Sequence, residues 1–211
     1  MQRNFDAVLF DLDGTLADTM EDNFLAWKKS FKNYGTNITR EDYFPLEGMN
    51  LLNIAKTISN KYNANAKPEE LVKLKNKYYL ENHNFRFYSG AEELVDTLKK
   101  NKLLALVSAS PKEKLEKTVP NNFLKNFNVV ISGDDVQHGK PAPEPYLKAM
   151  NALSLKPKQC IVIENAPFGI QSAKAAGIYC IALATTLSKQ ELKLADEIVS
   201  DFKNLKKILI L

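Results

Sequence analysis

Two aspartates near the start of the chain, Asp11 and Asp13, have the spacing of carboxylates that could share one cation. They follow the apolar run Ala7 to Phe10, which predicts a buried strand, and they precede Gly14, which allows a tight turn. Because residues i and i+2 of an extended chain point the same way, both carboxylates should face one small space and attract a hard cation. The alternative is a solvated acidic turn, which Asp-Gly pairs commonly form.

The composition is that of an ordinary globular protein. The 211 residues are 45% hydrophobic with a formal net charge of +4, enough for one full core and a small second module. No apolar run approaches the roughly 18 residues of a membrane span, and the first residues lack a secretion signal, so we expect a cytoplasmic protein that binds no membrane. The lysines are scattered along the chain, which argues against nucleic acid and suits a small anionic substrate. We expect a monomer, with Cys160 and Cys180 as buried free thiols.

Residues 20–87 have a wholly helical pattern. Phe24, Trp27, Phe31 and Tyr34 recur at intervals of three and four residues, as one apolar face of a helix requires. Aromatic residues at this spacing usually form the core of a helix bundle. Further helices are predicted over residues 51–62 and 69–81.

From residue 88 onward, short apolar runs alternate with helical segments. Strands are predicted at residues 103–108, 129–132, 160–164, 179–183 and 197–199. Such alternation is typical of a parallel sheet with helices on both faces, and the strand ending at Phe10 must join it. The predicted fold is therefore a doubly wound α/β core of residues 1–17 and 88–211, with an inserted helical cap of residues 18–87.

Polar side chains follow the predicted strands, where open α/β sheets bind their ligands. Ser108 ends the second strand, Lys140 lies in the loop after the third, and Glu164 and Asn165 close the fourth. Together with Asp11, this set suits phosphoryl transfer through a carboxylate with magnesium. Asp134, Asp135 and His138 lie near the site in sequence, and a structural or solvated role suits each of them equally well.

Four motifs, in this order, resemble those of the haloacid dehalogenase (HAD) superfamily. They are DLDGT at 11–15, LVSAS at 106–110, GKPAPEPY around Lys140, and IENAPFGI around Glu164 and Asn165. The helical segment is similar to the small cap of the β-phosphoglucomutase and phosphoglycolate phosphatase branch.

The resemblance implies a role for each matching residue. Asp11 would be the nucleophile that accepts the phosphoryl group, and Asp13 the general acid and base. Ser108 would bind a phosphoryl oxygen, and Lys140 would neutralise charge on the phosphoryl group. Mg²⁺ would be held by Asp11, the Asp13 carbonyl, Glu164 and Asn165.

One motif departs from the branch, because Asn165 stands where aspartate is most common. An amide oxygen brings no charge, so we expect an active enzyme with a weaker magnesium site. The same departure leaves open a catalytically weak protein that only binds a phosphorylated metabolite.

Substrate contacts are expected from the cap and from the second motif. The candidates are Asn23, Trp27, Gly48, Met49, Lys75, Ala109 and Ser110. Their chemistry fits sugar phosphates, phosphoglycolate or nucleotides equally. β-Phosphoglucomutases carry a histidine and an arginine in the cap where this chain has Asn23 and Leu51, so we favour a phosphatase over a mutase; Lys75 is the remaining candidate to hold a second phosphate.

Overall fold

The sheet of this chain is parallel throughout. The structure is a computed structural model that describes residues 4–210. Within this range six strands pair in the order β3-β2-β1-β4-β5-β6. They are β1 (Ala7–Phe10), β2 (Leu103–Val107), β3 (Val129–Ile131), β4 (Cys160–Glu164), β5 (Tyr179–Leu183) and β6 (Glu197–Val199). The predicted doubly wound α/β fold is confirmed.

Helices cover both faces of the sheet and fill the segment between β1 and β2. The helices are α1 (Met20–Lys32), α2 (Arg40–Tyr43), α3 (Leu51–Tyr62), α4 (Pro68–Asn82), α5 (Ala91–Leu98), α6 (Lys112–Thr118), α7 (Asn121–Leu124), α8 (Glu144–Ala152), α9 (Pro167–Ala175) and α10 (Phe202–Ile210). Short 3₁₀ turns occur at Phe44–Leu46, Gly133–Asp135 and Pro157–Gln159. The sequence did not predict α2 and α7, because four residues are too few to show a helical period.

The central strand β1 is apolar at every position because both of its faces are covered. Val8 and Phe10 pack into the core on one side of the sheet, and Ala7 and Leu9 pack into the core on the other. All four side chains are fully buried. The strand therefore holds Asp11, at its carboxyl end, on a rigid support.

The segment from α1 to α4, called the helical insertion below (residues 20–82), has a buried cluster of its own. Phe24, Trp27 and Phe31 pack there with Ile54 and Leu71, as the spacing of the aromatic residues predicted. Its two connections to the rest of the chain lie side by side, where the Asp18 amide donates to the Arg86 carbonyl at 2.9 Å.

Two further expectations concern the chain as a whole. Cys160 and Cys180 are buried free thiols, as predicted. Among the helices of residues 4–210, none is long and apolar enough to cross a membrane.

Candidate active site

The loop after β1 places Asp11 and Asp13 at the edge of the sheet. The Asp11 amide donates to the Ile163 carbonyl at 3.0 Å, which extends the sheet by one residue. Gly14 then turns the chain with a φ of 84°, and a Cβ at this position would lie 2.1 Å from Asn165 Nδ2. Only glycine allows both the turn and the close approach of the Asn165 side chain.

Lys140 joins two buried carboxylates at the centre of the site. Its Nζ donates to Asp11 Oδ1 at 2.7 Å and to Glu164 Oε1 at 2.6 Å. Burial raises the pKa of Asp11 to about 7, against the opposing charge of Lys140. Burial also opposes charge on Lys140, yet Asp11 and Glu164 together hold its pKa above the usual value. The lysine therefore stays charged, and Asp11 is held in one orientation with Oδ2 left for other contacts.

Asp13 lies in a separate network of donors. Thr19 Oγ1 donates to its Oδ1 at 2.6 Å and Ser110 Oγ to its Oδ2 at 3.0 Å, while Lys114 Nζ lies 3.4 Å from Oδ1. Although burial favours the neutral acid, Lys114 and Thr19 hold the pKa of Asp13 well below its usual range. In the free protein Asp13 is therefore an ionised carboxylate with donors on both oxygens.

Sequence reasoning missed Lys114, which is 4% exposed. Its Nζ donates to Ser110 Oγ at 2.9 Å and to Asn23 Oδ1 at 3.2 Å, and it lies 3.9 Å from the centre of the Tyr79 ring. Burial lowers the pKa of Lys114, with the charge of Asp13 opposing the shift. The available signal was its position in the first turns of the helix that follows Ser110, which is shared by many surface lysines.

Lys75 reaches the same place from α4 and is 1% exposed. Its Nζ donates to Asn23 Oδ1 at 2.7 Å. Burial and the nearby charge of Lys114 hold the pKa of Lys75 well below its usual value. Two lysines and Asn23 thus surround the side of Asp13 that faces the helical insertion.

Most of the expected substrate contacts do share one cavity with the two aspartates. The cavity is small, about 40 Å³, and is lined by Asp11, Asp13, Met20, Asn23, Tyr43, Gly48, Met49, Leu51, Ile54, Lys75, Ala109 and Ser110. Ser108 lies beside it with Lys140, and the Ser108 hydroxyl accepts from the Ser110 amide at 3.1 Å. A larger open groove along α8 holds none of these side chains.

Trp27 is a correction to the expected substrate contacts. It is fully buried in the core of the helical insertion, 6.0 Å from the Phe31 ring and behind Lys75, whose Nζ is 5.9 Å from the indole. Trp27 packs against the side of Lys75 and does not line the cavity.

The loop after β4 carries the side chains expected to hold a metal. Glu164 Oε1 accepts from Lys140 and from the Tyr146 hydroxyl, and Oε2 accepts from the amides of Asn165 and Ala166 at 3.0 and 3.2 Å. Both Glu164 oxygens therefore already have partners. Asn165 Oδ1 accepts from Thr15 Oγ1 at 3.0 Å.

Glu47, from the helical insertion, is a second side chain that the sequence did not reveal. It is 1% exposed, and its Oε2 accepts from Asn165 Nδ2 at 2.8 Å and from Thr186 Oγ1 at 2.9 Å. Among the described residues nothing donates to its buried Oε1. Burial raises the pKa of Glu47 well above its usual value, and the charge of Asp11 adds to the shift.

The donors at this edge fit Mg²⁺, because all are hard oxygen atoms and one of them, Glu47 Oε1, is buried without a partner. Within residues 4–210, no three or more acidic, histidine or cysteine side chains are grouped as a metal cluster. An amide at position 165 agrees with that finding, since it replaces one carboxylate of the expected set.

The remaining polar residues near the site have structural contacts. Asp135 Oδ2 accepts from the Ser132 hydroxyl at 2.6 Å, and His138 Nδ1 lies 3.0 Å from Glu144 Oε2. Asp134 accepts from the Lys112 amide at 2.8 Å. These contacts hold the loop after β3, from which Lys140 projects.

Fold and site together define a doubly wound α/β protein with a carboxylate pair beside a buried lysine. The profile of the family described as haloacid dehalogenase-like hydrolase matches residues 8–183. The chain belongs to this family, as its motifs predicted.

Named relatives extend over nearly the whole chain. Validoxylamine A 7'-phosphate phosphatase of Streptomyces hygroscopicus subsp. limoneus is 31% identical over 93% of this chain and 94% of its own. Fructose-1-phosphate phosphatase YqaB of Escherichia coli is 30% identical over 84% of this chain and 96% of its own. The structure of CbbY from Rhodobacter sphaeroides, with xylulose-(1,5)bisphosphate, has a TM-score of 0.82 at 24% identity, covering 98% of this chain and 100% of that chain, which shows a shared fold.

Proposed function

We propose that the chain hydrolyses a small phosphate monoester of the sugar-phosphate type, with Mg²⁺ and through phosphoryl transfer to Asp11. The observation that carries the proposal is the ion pair of Lys140 with Asp11, which leaves Asp11 Oδ2 at a cavity shared with Asp13. Both relatives are named as phosphatases, one of validoxylamine A 7'-phosphate and one of fructose 1-phosphate, and the second name supports a sugar phosphate as the substrate class.

In this proposal Asp11 attacks phosphorus, and Asp13 acts first as the general acid and then as the general base. Asp13 gives a proton to the leaving oxygen, and in the second half it takes one from the water that hydrolyses the phosphoaspartate. Because Lys114 keeps Asp13 ionised in the free protein, the negative charge of a bound phosphoryl group is needed to raise its pKa. Ser108 and Lys140 bind the phosphoryl oxygens by hydrogen bonding and charge.

Asp11, the Asp13 carbonyl and Asn165 would hold the Mg²⁺, with Glu164 fixing the loop that carries Asn165. When bound, the ion supplies positive charge that draws the phosphate to the nucleophile and offsets repulsion between the two anions. We propose that the helical insertion acts as a cap, since it provides Asn23 and Lys75 to the cavity wall and closes the site to water.

A phosphosugar mutase is the second candidate, and one observation favours it. Lys75 and Lys114 are buried amines beside the cavity, and the second phosphate of a sugar bisphosphate would stabilise their charged forms, although Asn23 and Leu51 bear no charge. The intact pair of Lys140 and Asp11 argues against a protein that only binds its ligand, because binding alone does not require a nucleophile.

The test is phosphate release from a panel of phosphorylated metabolites with Mg²⁺, comparing the wild type with Asp11→Asn. A matched control is Asp96→Asn, which removes an exposed carboxylate. We expect release by the wild type and the control and none by Asp11→Asn, with a phosphorylated protein detectable by mass after acid quenching of the wild type and the control but not of Asp11→Asn. Isomerised sugar phosphate without release would establish the mutase, and binding without either reaction would establish the binding protein.

A further inference from the structure

A loop of the helical insertion lies directly on the expected metal site. The turn Phe44–Leu46 leads into Glu47 and Gly48, and a Cβ on Gly48 would lie 3.3 Å from the Gly169 amide nitrogen and 3.4 Å from Ala166 Cβ. Gly48 has a φ of 76°, so glycine allows both the backbone shape and the close approach. Because Gly48 lies so close to this part of the core, Glu47 contacts the loop that carries Asn165.

The Glu47 carboxyl group is buried without a cation beside it, so a cation bound nearby would stabilise its charged form. It is 1% exposed, its Oε2 accepts only from neutral groups, and within the described residues its Oε1 has no partner. Burying a charge without a counter-charge is costly, and an orphaned buried oxygen needs an explanation. None of the ion pairs within residues 4–210 involves Glu47.

Carboxylates outnumber lysines around Glu47, which also favours binding of a cation. Lys140 is the cation that contacts this end of the site, and it is shared by Asp11 and Glu164. Glu47 adds a third carboxylate to this end of the site, through its contact with Asn165. Glu47 contacts Asn165, the residue that stands in the fourth motif where a charged aspartate is most common.

We propose that Glu47 supplies, from the helical insertion, the negative charge that Asn165 lacks, so that Mg²⁺ binding and seating of the 44–49 loop on the core promote each other. Glu47 is a positioning residue here. It holds Asn165 by a hydrogen bond, and its negative charge attracts the ion without coordinating it. The coupling is reciprocal, because a cation that binds better when the loop is seated must also favour the seated loop. The inference rests on the Mg²⁺ use in the proposed function.

The first test is Mg²⁺ binding to the whole chain, measured by titration calorimetry without substrate. Glu47→Gln keeps an oxygen that can accept from Asn165 and Thr186 and removes only the charge. We expect Mg²⁺ to bind it about tenfold or more weakly than the wild type, given the strength of charge pairs a few ångströms apart. The control Glu93→Gln removes a carboxylate that is 70% exposed, and it should leave the affinity unchanged.

A rescue experiment separates charge from shape. Asn165→Asp in the Glu47→Gln background moves the carboxylate from the insertion to the core, and it should restore Mg²⁺ affinity to within about threefold of the wild type. Lack of rescue would overturn the inference, because Glu47 would then act through packing. Equal affinity of wild type and Glu47→Gln would overturn it too, while no Mg²⁺ binding by the wild type would refute both this inference and the proposed use of magnesium.

A second measurement follows the backbone of the 44–49 loop. Hydrogen exchange of residues 44–49 should slow when Mg²⁺ is added to the wild type and should not change in Glu47→Gln. The same slowing in both proteins would contradict the coupling, whatever their affinities.

Discussion

Replacing Lys75 by methionine should stabilise the fold while lowering activity. Lys75 and Lys114 both donate to Asn23 Oδ1, at 2.7 and 3.2 Å. The two nitrogens therefore lie within about 6 Å of each other, where like charges repel by about 3 kcal/mol at an effective dielectric near 20. Burial adds to this cost, and both effects hold the pKa of Lys75 well below its usual value. Methionine fills similar space without a charge, so we expect a gain of about 1 to 3 kcal/mol in the free energy of unfolding.

The pH dependence of this gain is the stricter part of the prediction. Between the lowered pKa of Lys75 in the folded protein and its usual value of 10.5, the unfolded chain binds a proton here that the folded protein lacks. Stability of the wild type therefore rises with pH across that window through this group. The advantage of Lys75→Met should therefore shrink steadily as the pH rises through this window towards 10.

The assay is urea or thermal unfolding of the wild type, Lys75→Met and the control Lys77→Met, whose lysine is on the same helix but 65% exposed. For a chain of this length, the gain corresponds to a rise of about 3 to 10 °C in Tm. Phosphate release should fall in Lys75→Met, because Asn23 loses a partner beside Asp13. A Lys75→Met protein that is less stable than the wild type at every pH would refute the reasoning.

Two further substitutions test the buried ion cluster. Lys140→Met leaves the Asp11 and Glu164 carboxylates buried together and should cost about 3 to 5 kcal/mol in stability as well as activity. Since the pKa of Asp11 is already raised to about 7 and would rise further, the folded variant gains stability from protonation, so its deficit in urea unfolding should be smaller at pH 5 than at pH 8. Gly169→Ala would put a Cβ 1.7 Å from Glu164 Oε1. We expect it to displace that carboxylate from Lys140 and to lower both Tm and phosphate release, and a variant with unchanged Tm and rate would contradict this.

The sheet and the catalytic edge could be predicted because their signals are local. Each strand is a short apolar run, and the residues that end or follow the strands of a parallel sheet lie at one edge, so the sequence predicted that Asp11, Ser108 and Glu164 lie there. The helix over residues 51–62 was predicted with the bounds that it has in the structure. Its apolar residues at helical spacing gave a clear pattern.

Lys114 and Glu47 could not be found in the same way, because their burial depends on contacts between distant segments. A lysine in the sequence KEKLEK is typical of a solvated helix face, and only the approach of α4 and Asp13 buries it. Glu47 follows a short turn with no period, and its contact with Asn165 joins residues 118 positions apart. The substrate contact predicted for Trp27 was wrong, although the helical spacing of this residue had correctly predicted a position in the core of the insertion.

The charged side chains around the cavity divide into two groups of opposite balance. The group at the loop after β4 has three carboxylates and one lysine: Asp11, Glu47, Glu164 and Lys140. The group between α4 and α6 has one carboxylate and two lysines: Asp13, Lys75 and Lys114. The first group favours a cation and the second favours an anion, so a phosphate ester in the cavity would be oriented by charge alone. Each group takes one member from the helical insertion, Glu47 or Lys75, so that seating of the insertion would complete both ends of the site in one movement.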